Sequence, residues 1–247
     1  MNTARQIVSE HWEMFVRETP EQLFFISVAM DVVMNPPADL PHCARIIIPI
    51  AAPGRNGGPQ GEESERLWQM EDALCAVLHD CDTPNCVLAG RMTYAGWREL
   101  VFLHDNWDAF RPPVGGWMQQ HPDYAIDVDE SEGPGFCNDY LRPTLADQFF
   151  ILDNRVIRHL VEQGSNPELP HDLEYFFRGE PAALAQLREQ LGTRGYRTGD
   201  ASQPGELLMV KTLPLHLPLV VQESLANHEL ASMLGADMDG WGAAVVN

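Results

Sequence analysis

The sequence predicts an α+β protein made of two ferredoxin-like (split βαβ) α/β sandwich domains with antiparallel sheets. Three observations predict it. The element pattern β-α-β-β-α-β reads once across residues 44–130, with an extra strand in front, and again from residue 173 to the end of the chain. Apolar runs of strand length alternate with longer runs of helical period. The 247 residues, 45% of them apolar, suffice for two cores of ordinary size. The recurrence is one of element order and not of residue identity. The domains are expected at 1–143 and 144–247, with Pro143 as the break.

The elements follow in order. Residues 3–18 (TARQIVSEHWEMFVRE) place Ile7, Val8, Trp12 and Phe15 near helical spacing and predict a short amphipathic helix. LFFISVAMD (23–31) and ARIIIPIA (44–51) read as strands, and APGRNGGPQG (52–61) as a loop. Leu67, Met70, Leu74, Val77, Leu78 and Cys81 fall on one stripe and predict a helix over 62–82. CVLAGRMTY (86–94) and WRELVFLHD (97–105), joined by Ala95-Gly96, form a hairpin signal. A helix from Asp108 to Gln120, its start blurred by Pro112 and Pro113, and a strand YAIDVDE (124–130) complete the first set.

Thr144 is an N-cap for a helix reaching Gln163, and Gly164 suits the left-handed position after its end. GSNPELPH (164–171) reads as a linker. Then come a strand LEYFFRG (173–179), a helix with Pro181 in its first turn running to Leu191, strands YRTGD (196–200) and ELLMVKTLPL (206–215), a helix over 218–234 and a last strand MDGWGAAVV (238–246).

Charge narrows the function. Thirty-six acidic residues face 16 basic ones, a formal net of −20, and Lys211 is the only lysine. Residues 1–170 hold 26 of the acids against 11 bases. A field of that sign repels phosphate backbones and anionic membranes, so direct nucleic-acid and membrane binding are disfavoured and a basic protein segment is the favoured partner. The longest apolar run, LFFISVAM, falls well short of a bilayer span. Five cysteines, an odd number, together with an N-terminus that shows no signal-peptide core, predict reduced thiols and a cytoplasmic location.

Several motifs invite chemistry. LCAVLHDCDTPNC (74–86) packs three cysteines and His79 into thirteen residues. Cys75 and His79 share a helix face, but Cys81 points about 160° away from His79 if the helix continues, and Cys86 opens a strand, so the cysteines read as core fillers, not zinc ligands. GRNGGPQG (54–61) stands where phosphate loops occur, yet it lacks a lysine and precedes Glu62, Glu63 and Glu65, which satisfy the helix dipole themselves. Neither G-x-S-x-G nor H-E-x-x-H occurs, and His104-Asp105 and His121-Pro122-Asp123 are isolated pairs. Neither candidate central strand carries the aromatic signature of an RNA-recognition module.

Two stretches suit a basic partner. Asp127, Asp129, Glu130 and Glu132 form a dense acidic run, read either as a solvated loop or as a contact for a basic partner or a weak cation site. In MDGWGAAVV, two glycines around Trp241 signal a bulge or a close backbone approach. Trp241 is then either core packing or an exposed anchor beside Asp237 and Asp239, a pairing suited to an arginine through stacking and a carboxylate.

The stretches NRVIRHLVEQGSNPELPHDLEYFFRGE (154–180), LREQLGTRGYRT (187–198) and MDGWGAAVV (238–246), in that order, resemble the regulators of ribonuclease E activity, type B. ARIIIPI, WQMEDALCAVL and CVLAGRMTYAGWRELVFL, within about 22–140, resemble a domain of unknown function (DUF695-like) found fused ahead of such regulators. The first resemblance implies a non-enzymatic regulator that binds the arginine-rich, non-catalytic part of ribonuclease E and alters RNA cleavage without binding the RNA. The second implies no function.

The expected protein is a cytoplasmic protein-binding regulator without cofactor or metal. Asp237, Asp239 and Trp241 are its partner-binding residues, and Asp127, Asp129 and Glu130 its secondary contacts. The alternative is a small-ligand or metal-dependent enzyme in the N-terminal domain, using the Cys75–Cys86 region or the 54–61 loop.

Overall fold

In the computed structural model, which describes residues 8–81, 84–131, 135–200 and 205–247, the strand-forming runs assemble into two antiparallel sheets. The chain divides into two units, Met1–Pro143 and Thr144–Asn247.

In the first unit the β-branched run of β3 (His42–Pro49) alternates in burial, with Ala44, Ile46 and Ile48 turned to one face. β4 (Cys86–Tyr94) and β5 (Trp97–His104) form the expected hairpin, closed by Ala95 and Gly96, both at positive φ. With β1 (Trp12–Glu18), β2 (Leu23–Ala29) and β6 (Asp127–Ser131) they build a six-stranded sheet of order β1-β2-β4-β5-β3-β6. Two helices cover one face. α2 (Glu62–Asp80) contributes Leu67, Met70, Leu74 and Leu78, and α3 (Trp107–Met118) contributes Phe110, Val114 and Trp117. Asn106 caps α3 by accepting a hydrogen bond from Ala109 N at 3.1 Å. The other face meets α1 (Met30–Met34) and a short π-helix, Cys137–Leu141. A side chain on Gly90 of β4 would lie 2.9 Å from both Ser27 O and a Leu141 methyl, so the π-helix packs there only against a glycine.

The expected helix over 3–18 is corrected. Residues 3–7 lie outside the described residues, and Trp12–Glu18 is a strand paired with β2 from Trp12↔Ala29 to Glu18↔Leu23. The turn Thr19–Gln22, with Thr19 N donating to Gln22 O at 2.9 Å, closes this hairpin around Pro20. Trp12 and Phe15 fit a helical stripe locally, but the ladder with β2 satisfies the backbone and buries Phe15 completely. The strand expected over 124–130 starts only at Asp127, because Tyr124 turns into the core and donates to Glu63 Oε2 at 2.9 Å. α2 ends at Asp80, so Cys81 is its C-cap in extended conformation and not a member of the apolar stripe.

In the second unit α4 (Leu145–Glu162) opens with a capping box: Thr144 accepts from Asp147 N, and Asp147 accepts from Thr144 N at 2.8 Å. Gly164 takes φ 98° after its end. β7 (Pro170–Gly179) alternates strictly, with Leu173, Tyr175 and Phe177 buried and Asp172, Glu174, Phe176 and Arg178 exposed. α5 (Pro181–Thr193), β8 (Arg197–Thr198), β9 (Glu206–Pro214), α6 (Leu217–Leu234) and β10 (Ala236–Gly242) follow. The sheet order is β10-β7-β9-β8, antiparallel throughout. Its core gathers the inner residues of β7 with Leu187, Leu191, Val220 and Ala231 from α5 and α6. Two expected strands are shorter than the sequence suggests. β8 keeps two residues of 196–200, and β10 stops at Gly242, beyond which Val246 O accepts from Asn166 N at 2.8 Å.

Candidate functional site

The Asp-Gly-Trp-Gly stretch forms a β-bulge. In the β10–β7 register Met238 pairs with Phe177 and Gly240 with Phe176, so Asp239 is the extra residue. Gly240 takes φ 132°, where a side chain would be strained. The physical consequence is a change of side. In a regular strand Met238 and Trp241 would point to opposite faces; the extra residue brings both against the core side of the sheet. Trp241 is therefore half-buried and not an exposed anchor. Its indole Nε1 donates to Asp153 Oδ1 on α4 at 2.7 Å. Asp153 is only 2% exposed. Burial raises its carboxyl above the usual carboxylate range, opposed by the Trp241 donor.

Around this pair lies a cavity of about 420 Å³, within the range of ligand sites. α4 lines it with Phe149, Leu152 and Val156, β7 with Phe176 and Phe177, and β10 with Met238 and Trp241. Leu152 is 51% exposed and Phe176 44% exposed. The charged residues Arg155, Arg178, Asp200, Glu206 and Asp239 complete the lining. Arg178 Nε is 2.9 Å from Asp239 Oδ2, and its Nη2 is 3.6 Å from Glu206 Oε1. Asp237 is exposed opposite Arg178 in the register.

The acidic run of the first unit lies on the edge strand β6 and is largely paired. Arg45 Nη2 reaches Asp129 Oδ2 at 2.5 Å, His42 Nδ1 stands 3.9 Å from Glu130 Oε1, and Asp127 Oδ1 accepts from Val128 N. Glu132 lies outside the described residues. Asp129 therefore holds a strand edge together as well as presenting negative charge.

The cysteines of 74–86 form no common site with His79. Cys75 and Cys86 are buried, His79 is exposed at the end of α2, and Cys81 donates to Val77 O. Cys43 and Cys137, which the sequence did not suggest as neighbours, bring their sulfurs to 3.8 Å in the core. Among the described residues no three His, Cys, Asp or Glu side chains form a metal-holding group, and no helix is long and apolar enough to cross a membrane. At the 54–61 loop, Glu63 of the first α2 turn accepts from Ala51 N at 2.9 Å, so a carboxylate holds the backbone there.

Sequence reasoning missed Asp153, Arg178, Leu152 and Phe176. Two signals were present. Asp153 interrupts the buried stripe of Ile157 and Leu160, and an acid in such a stripe calls for a buried partner. Phe176 breaks the polar outer row Asp172, Glu174, Arg178 of β7.

Residues 10–136, more than half of the chain, match the family of unknown function DUF695. The chain belongs to the DUF695 family. Asp127, Asp129 and Glu130 fall within this DUF695 region. Residues 151–243 of the DUF695 protein match a second family, regulator of ribonuclease activity B, and this region contains Asp153, Arg178, Asp239 and Trp241. The regulator of ribonuclease activity B from Colwellia psychrerythraea is 29% identical over 106 residues, spanning 38% of this chain and 90% of that protein. A solved structure of an hypothetical protein aligns over 97% of this chain and 96% of its own at 12% identity, with a TM-score of 0.18.

Proposed function

We propose that this DUF695 protein regulates a ribonuclease by binding it as a protein, through the arginine-rich, non-catalytic segment of ribonuclease E. The match of residues 151–243 to the regulators of ribonuclease activity carries the reading. The net charge of −20 supports a basic partner, because it favours arginine-rich protein and disfavours RNA. Asp237, Asp239 and Trp241 make the primary contact, and Asp127, Asp129 and Glu130 add long-range attraction. Trp241 acts from the cavity wall, with Asp239 at its margin. The protein is non-enzymatic, works in the cytoplasm, and uses residues 1–143 and 144–247 as separate domains. Both are split βαβ folds; the order β10-β7-β9-β8 and the corresponding β6-β3-β5-β4 support this.

Calorimetric titration with the arginine-rich half of ribonuclease E from the same source tests the proposal. Saturable binding is expected at about 0.05 M salt and a several-fold weaker affinity at about 0.3 M, since screening shortens the reach of exposed charges. Absence of binding at the lower salt overturns it.

A further inference from the structure

The cavity of the second unit carries a guanidinium of its own at its margin. Arg178 stands on the central strand β7 between Asp239 of β10 and Glu206 of β9, 2.9 Å from the first and 3.6 Å from the second. Its side chain is 63% exposed. Ion pairs so exposed contribute little to a fold, because water and salt compete for both charges. Beside it the exposed Leu152 and Phe176 continue the apolar wall. An open apolar cavity with carboxylates at its margin is complementary to a segment that couples a large apolar side chain to a positive charge.

Resting on the regulator reading, we infer that Arg178 is a stand-in for an arginine of the protein partner. The occupant is an extended basic segment. One of its large apolar side chains enters the cavity against Phe149, Leu152 and Trp241. A neighbouring arginine displaces Arg178 from Asp239 and takes over that carboxylate, while Arg178 stays beside Glu206. The exchange swaps one guanidinium for another, so Asp239 is never left without a counter-charge. Arginine suits the place better than lysine, since its planar fork pairs with a carboxylate and stacks on the exposed Phe176 ring.

The sign of one substitution distinguishes this from an ordinary surface contact. Removing a cation that merely holds the sheet leaves binding unchanged, and removing one that touches the partner weakens it. Removing a competitor tightens it. The test uses the full chain and a fluorescent twelve-residue peptide of alternating arginine and glycine with one central tryptophan, alongside versions with alanine for tryptophan or lysine for arginine. Arg178→Gln is expected to tighten binding of the tryptophan-arginine peptide by about threefold, the scale of one exposed ion pair. Arg188→Gln, an equal charge change on α5 outside the cavity lining, controls for net charge and should tighten it less. Asp239→Asn and Leu152→Glu should weaken it, and the alanine and lysine peptides should bind less well to the unaltered chain. Unchanged thermal melting of Arg178→Gln establishes that the fold is intact.

Equal or weaker binding by Arg178→Gln, an effect no larger than that of Arg188→Gln, or no peptide binding overturns the inference. If the ribonuclease segment binds and every cavity variant matches the unaltered chain, the inference fails and the regulator reading stands. If the peptide shows the expected signs and the ribonuclease segment does not bind, the inference stands and the ribonuclease reading fails.

Discussion

The indole of Trp241 donates to Asp153 across 88 residues of sequence, and this single bond ties the bulged edge strand β10 to α4. Both side chains also line the cavity. Trp241→Phe keeps most of the packing but removes the donor, leaving a buried carboxylate oxygen without it. Such a loss costs about 1–3 kcal/mol, read as a lower urea midpoint for the second unit.

Asp153 makes that stability depend on pH. Burial raises its carboxyl in the folded protein. A raised folded value favours the fold below the unfolded value of about 3.9, and the benefit is lost as pH climbs through the folded value. Asp153→Asn does not titrate there. The stability difference between variant and unaltered protein should therefore move in the variant's favour as pH rises from about 3 to 7 in urea titrations. A constant or opposite difference would refute the assignment.

In the first unit Arg91 lies between the rings of Trp12 and Trp68, 4.4 and 4.3 Å from their centroids, and bonds Glu71 at 2.6 Å. Both charges are buried or nearly so, and burial raises the Glu71 carboxyl against the pull of Arg91 and Arg98. Arg91→Ala leaves Glu71 buried without its main partner and should destabilise by about 3–5 kcal/mol. Arg91→Ala combined with Glu71→Ala should cost less than the two separate losses summed, which a double-mutant cycle measures.

Thiol reactivity should be confined to one site. Cys43, Cys75, Cys86 and Cys137 are buried, and burial pushes the Cys75 thiol up to about 12, far from the thiolate form. Cys81, the C-cap of α2, is partly exposed. A disulfide reagent at pH 8 should modify one thiol rapidly in the native protein, and Cys81→Ser should remove that fast phase. Two or more fast thiols would contradict this burial.

Thr144→Ala removes one half of the capping box of α4 and should destabilise by about 1 kcal/mol, measurable as a lowered melting temperature of the second unit. Thr144→Ser, which retains the hydroxyl, should recover most of it.

What was legible in the residues followed locality. α2 and α4 declare themselves because a helix closes its hydrogen bonds within a few residues and shows its buried stripe in sequence. Thr144, Gly164 and Pro181 mark helix ends for the same local reason, and Ala95-Gly96 marks the β4–β5 turn. Residues 12–18 were misread because Trp12 and Phe15 fit a helical period as well as a strand. Their state follows from seven pairings with β2, which no window over 3–18 contains. The π-helix and α1 carry only weak local signals and form against Gly90 and the back of the sheet.

The same division runs through the site. The order Asp-Gly-Trp-Gly announces a bulge on its own, because glycine alone tolerates the φ of 132° at residue 240. Charge sign is likewise a property of composition. Whether Trp241 turns inward or outward is not, since it depends on the Phe176 and Phe177 register and on an acceptor, Asp153, 88 residues away. Nor could composition tell that Asp129 meets Arg45 and Asp239 meets Arg178. Residue types and local spacing dictate secondary structure, caps and the sign of the field. Long-range strand pairing dictates which of those charges are answered within the fold and which are left exposed.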